Sequence, residues 1–133
     1  MKDKLRHEFL ESAVKAKISF VATHCYSHNY ISLAGLADPV YVETLEKRLN
    51  KLGAKFYPVH LKANNEELLK RVSMNSRREF RKLKSKKIMR TLIPNHDWQN
   101  SPDLKNNLVI DNTNLSPKKV AEMIITHFKL KPD

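Results

Sequence analysis

The stretch from Asn107 to Pro117 constrains this chain more than any other. Leu108, Val109 and Ile110 form a short apolar run with two branched residues, the pattern of a strand covered on both faces. Asp111 to Asn114 is a polar exit. Ser116 then stands where an N-cap belongs and Pro117 at the first helical position. Val120, Ile124 and Phe128 recur at helical spacing beyond it. Strand, polar turn and helix follow in order, and in open α/β sheets ligands sit beyond the carboxyl ends of strands. The turn is therefore the first place to look for a site. A capped helix start that binds nothing has the same spacing, and both readings stand at this point.

The rest of the chain alternates in the same way. Residues 3 to 16 read as an amphipathic helix with Leu5, Phe9, Ala13 and Val14 on one side, and Ile18 to Ala22 as a strand. Asp38 and Pro39 open a second helix whose stripe is Val42, Leu45, Leu49 and Leu52, closed by Gly53 at C′. Lys55 to Leu61 reads as a strand with an irregularity at Pro58, which has no N–H for a ladder bond. Asn64 caps another helix, with Glu67 three residues on as in a capping box. Lys70 to Arg90 carries ten basic residues against one acid, Glu79, and reads as two short helices broken near Ser85. Residues 93 to 105, with Pro94, Trp98 and Pro102, read as a loop. The expected fold is α/β, a mostly parallel sheet covered by helices, in a single domain over residues 1–133.

Composition narrows the class. The chain has 133 residues, enough for one core, and no apolar stretch near the roughly 20 residues needed to cross a bilayer. The residues after Met1 are charged and do not read as a secretory signal. The single cysteine, Cys25, forms no internal disulfide and suits a reducing cytoplasm. A net charge of +11 favours anionic partners. With two glycines in all, Gly35 and Gly53, the sequence holds no Gly-x-x-x-x-Gly-Lys-Ser/Thr phosphate loop.

Three groups of side chains carry candidate chemistry. Arg71, Arg77, Arg78 and Arg81 are the most informative, because guanidinium forks match phosphate oxygens. Arg77 and Arg81 share a helical face, and such a face closing over a phosphate would exclude water and stabilise charge. A solvated basic face is the plain alternative. His24, Cys25 and His28 have the chemistry of zinc ligands but no fourth ligand at a recognisable spacing, so no metal is assigned. His24 and Cys25 would point to opposite faces of a strand and would not form a catalytic pair. His96, Asp97 and Trp98 read as loop residues, the indole as an anchor.

Taken in order, Leu5 to Glu11, Ile18 to Ala22, Glu66 to Arg71, Ser76 to Phe80 and Leu108 to Pro117 resemble P-loop kinase-like ATP-binding proteins of the AAA-type or shikimate-kinase-like family. The resemblance covers nearly the whole chain, as the carboxyl-terminal portion of that fold without its phosphate loop. It implies a three-layer P-loop NTPase-like sheet with its first strand missing, and a lid over residues 70–95. It implies that Arg71 lies on one side of an adenine and Pro117 on the other, with Asn114, Leu115 and Ser116 in the same loop. It implies that Arg77, Arg78 and Arg81 reach the phosphates of ATP bound with Mg2+. The function implied is ATP-dependent phosphotransfer to a small molecule of unread identity, weak or absent in a chain without the loop. A gap in the sheet also implies closure or self-association, since unpaired backbone is costly. A basic nucleic-acid-binding module is the reading from another class; it has few stacking aromatics to support it.

Overall fold

A computed structural model describes residues 2–77 and 82–131, with the side chains of Lys2 and Asp3 set aside. The protein is α/β, and the chain packs as two compact units. The first comprises residues 1–58 and 102–107, the second residues 59–101 and 108–133.

The first unit is helical. Helix α1, Lys2–Lys15, and helix α2, Asp38–Lys51, pack through Leu10, Tyr41, Leu45 and Leu49, with Val14, Leu36, Val42, Ala54 and Phe56 around them. Both helices close with the same C-terminal device. Lys17 N–H bonds Val14 O and Ile18 N–H bonds Ala13 O; Gly53 N–H bonds Asn50 O and Ala54 N–H bonds Leu49 O. In each, the C′ residue is left-handed, with φ 58° at Lys17 and 82° at Gly53. Glycine takes that conformation freely, whereas Lys17 has a Cβ that opposes it.

Two expectations fail in this unit. Ile18–Ala22 is not a strand: no described segment pairs with it, and a lone strand has nothing to close its hydrogen bonds. Asp38 is not the N-cap of α2. Ala37 holds that position without a side-chain bond, and the buried Asp38 carboxylate instead accepts from Ser27 N–H at 2.9 Å.

The second unit is built on two parallel strands, β1, Val59–Lys62, and β2, Leu108–Asp111. Val59 pairs with Leu108 and Lys62 with Asp111, and the ladder is extended by Asn112 N–H to Lys62 O at 2.8 Å. Pro58 falls just before β1, so its missing N–H costs the ladder nothing. Among the described residues these two strands are the whole sheet. Helices α3, Asn65–Val72, and α4, Lys86–Leu92, lie between them in sequence, and α5, Pro117–Phe128, follows β2 and packs on it. Ala63, Val72, Ile110 and Val120 are buried here.

Capping follows the sequence closely in this unit. Asn64 Oδ1 accepts from Glu67 N–H, Ser85 Oγ from Ile88 N–H and Ser116 Oγ from Lys119 N–H. Only half of the expected capping box forms, because the Glu67 carboxylate turns to Arg71 instead. Of the two helices expected between Lys70 and Arg90, the second is α4; ahead of it the described residues hold a 3₁₀ turn, Asn75–Arg77, and residues 78–81 lie outside the described residues.

Candidate functional site

The turn after β2 is held from within and from α3. Asp111 Oδ1 accepts from Thr113 N–H at 3.0 Å and from the Thr113 hydroxyl at 2.6 Å. These two bonds, the hydroxyl first, hold the Asp111 carboxyl below the usual carboxylate range, with Lys62 and Arg71 adding to the effect against desolvation. Thr113 Oγ1 in turn accepts from Asn64 N–H at 3.0 Å, which ties the turn to the start of α3.

Arg71 completes the clamp. Its Nε donates to Glu67 Oε1 at 2.7 Å, one terminal nitrogen to Asn112 Oδ1 at 2.9 Å, and the other to Asn112 O and Thr113 O at 2.7 and 3.3 Å. A guanidinium has five N–H donors, and most of them are spent here. Arg71 is therefore a positioning residue for the turn, half-way along the path from helix α3 to the strand end. The resemblance set Arg71 and Pro117 on either side of an adenine; in the structure Arg71 holds the carbonyls of Asn112 and Thr113, a role the sequence did not indicate.

Between α3, α4 and this turn lies an open polar groove of about 510 Å³. Thr113 and Asn114 form one wall, Asn64, Glu66 and Lys70 another, and Lys86 and Arg90 the third. Lys86 and Arg90 are four residues apart on α4 and so share a face. Neither has an ion-pair partner among the described residues. Glu67 also lines the groove, but it is neutralised by Arg71, with Lys70 Nζ at 3.8 Å. Three cations then face one uncommitted carboxylate, Glu66, in a hollow where like charges at that spacing repel.

The remaining sequence-stated residues fall as follows. Arg77 Nε donates to Leu83 O at 2.8 Å, within its own segment. Arg78 and Arg81 lie outside the described residues. Leu115 N–H bonds Asn112 O, Ser116 is the N-cap of α5 and Pro117 its first residue, so this part of the turn is built as the sequence indicates. Lys86 and Arg90 were hidden in a run of ten cations. Their i, i+4 spacing was present, but only the fold shows which pair meets Asn114.

The His24, Cys25 and His28 trio separates. His24 Nε2 lies 3.5 Å from Asp38 Oδ1, His28 Nδ1 hydrogen-bonds the Tyr26 hydroxyl, and Cys25 is exposed. Among the described residues no group of three or more His, Cys, Asp or Glu is placed to hold a metal ion. What forms instead in the first unit is an aromatic stack that the sequence did not announce. His7 and His24 stack on Tyr41 with centroids 4.9 and 5.1 Å away, and Arg48 donates to His7 Nδ1 while pairing with Glu11.

The loop before β2 is tied to β1: Ser101 Oγ and His60 Nδ1 are hydrogen-bonded at 2.6 Å, and within the loop His96 stacks on Trp98 at 5.5 Å. Burial pushes the His60 pKa below its usual value of 6.5, and nearby Lys62 adds to this; the Trp98 backbone and Asp97 act the other way.

Comparison of the chain with known protein families, with characterised proteins and with solved structures finds no match. The architecture defines an α/β protein with a parallel strand pair and a cationic groove at its carboxyl edge, and the functional reading rests on that groove.

Proposed function

We propose that the second unit binds a nucleotide, with the phosphates against Lys86 and Arg90 and the base toward Asn114 to Pro117. One observation carries this reading: two cations on one face of α4, without acidic partners among the described residues, meet the polar turn at the end of a parallel strand. An anion entering the groove relieves their repulsion, and the Arg90 fork suits phosphate oxygens. The Arg71 clamp supports it further, since a turn held by three bonds from one guanidinium is already in shape for a ligand.

Within this reading the protein is a nucleotide-binding, kinase-like domain of the P-loop type. In this reading Leu115 and Ser116 frame the base. ATP fits the groove by charge. Its Mg2+ would arrive on the phosphates, because that ion keeps several waters and takes few protein carboxylates, and Glu66 is the carboxylate on the wall. Without a glycine-rich phosphate loop in the sequence, backbone amides contribute little, and a dissociation constant in the range of roughly 0.1 to 1 mM is expected. Phosphotransfer to a small-molecule acceptor belongs to the complete constellation of such folds and is not assigned to these residues alone.

Calorimetric titration with ATP and Mg2+ tests the proposal. Lys86→Ala and Arg90→Ala should each weaken binding about tenfold, the effect of losing one charge-assisted bond. Equal affinity in the wild type and both variants would remove the site. If an RNA oligonucleotide binds more tightly than ATP, with affinity falling steeply with salt, the groove belongs to a nucleic-acid module instead.

A further inference from the structure

The first unit leaves an apolar surface around the end of α1 uncovered. Helix α1 carries Leu5, Phe9 and Ala13 at helical spacing, with Ala16 just past its end, and the left-handed cap at Lys17 sends the chain into Ile18, Phe20 and Val21. Phe9 is 70% exposed, Leu5 and Ile18 each 58%, and Val21 95%. A shallow hollow of about 320 Å³ lies among Phe9, Ala13, Ala16, Ile18 and Phe20. From Ser19 to Thr23 the backbone N–H and C=O groups have no partner among the described residues. The sequence there, Ile-Ser-Phe-Val-Ala, has high strand propensity. An apolar surface edged by unpaired backbone is the template for strand addition.

We propose that this segment pairs with its own counterpart in a second copy of the chain, antiparallel and two-fold symmetric about Phe20. Three observations select a second copy. The segment is self-complementary: with Phe20 opposite Phe20, Ile18 meets Ala22 and Ser19 meets Val21, so residues 18, 20 and 22 of both copies share one face. That face is the one α1 borders, and the two hollows join into one apolar layer. The charges agree as well. Antiparallel pairing sets Lys17 against Thr23, whereas parallel in-register pairing would stack lysine on lysine. The area is also sufficient. Leu5, Phe9, Ile18 and Phe20 present on the order of 500 Å² per copy, and the strand backbone brings this near the roughly 800 Å² per partner of a stable interface.

Sedimentation equilibrium of the full chain over the micromolar to millimolar range tests this, independently of nucleotide binding. A reversible dimer is expected. Ala22→Lys, at an exposed side chain on the shared face opposite Ile18 of the other copy, should weaken it at least ~30-fold with an unchanged circular dichroism spectrum. In a Cys25→Ser background, Phe20→Cys should form a disulfide-linked dimer under mild oxidation, and Ser19→Cys should not. A chain that stays monomeric throughout, a dimer indifferent to Ala22→Lys, or cross-linking at Ser19 rather than Phe20 would overturn the proposal.

Discussion

Ile18–Ala22 and Leu108–Asp111 have nearly the same apolar, branched composition, yet only the second is a strand. The difference lies outside both segments. Leu108–Asp111 runs beside Val59–Lys62 in register, so its backbone groups are satisfied and Ile110 is 2% exposed. Ile18–Ala22 has no such neighbour among the described residues and leaves Val21 in solvent. A strand is a property of a pair, and composition alone marks only half of it.

The comparison is sharpened most by substitutions at the two centres. Ile110→Ala should cost about 3 kcal/mol, since it empties a fully buried site, and should shift the urea midpoint of the second unit's signals strongly. Val21→Ala, followed at concentrations that keep the chain monomeric, should change stability by less than about 0.5 kcal/mol. Comparable losses at the two positions would break the contrast.

Arg71→Ala comes next. Removing the clamp leaves the Asn112 and Thr113 carbonyls short of a donor and Glu67 with only the longer Lys70 contact, at a cost of roughly 2 kcal/mol. Amide exchange in residues 112–116 should accelerate well before the rest of the unit. Arg71→Lys should recover only part of this, because an ammonium cannot span the same acceptors.

Smaller effects are expected at the helix ends. Lys17→Gly removes a left-handed non-glycine residue and should stabilise the first unit by about 1 kcal/mol in thermal unfolding. Asn64→Ala should destabilise α3 by a similar amount through loss of its cap.

The weakest effect concerns pH. The folded His60 pKa lies below 6.5 while the unfolded chain titrates near that value, so on acidification the unfolded state takes up the proton first. The contribution is complete above 6.5 and is lost as pH falls through the folded pKa. Urea midpoints at about pH 8 and pH 5.5 should differ in that direction, and His60→Gln should flatten the difference.

Much of this architecture was legible in advance where the determinants were local. Asn64, Ser116 and Pro117 start helices because a side-chain oxygen or a ring that needs no N–H sits at the right place in the chain itself. Gly53 ends α2 for an equally local reason, and Leu108–Ile110 was recognisable by its apolar run. Asp38 misled because its carboxylate had a better partner eleven residues back, in Ser27. Lys17 gave no warning of a left-handed cap, since lysine has no preference for one.

The candidate site divides along the same line. Its turn, its N-cap and the presence of clustered cations were set by residues adjacent in the chain. Which cations face the turn was decided by tertiary structure, because Lys86 and Arg90 meet Asn114 only once α3 and α4 have folded back against the strand end. Arg71 likewise acquires its role through acceptors more than forty residues away. Short-range steric and capping preferences are written in the local sequence, whereas the pairing of donors with distant acceptors depends on where the backbone brings them.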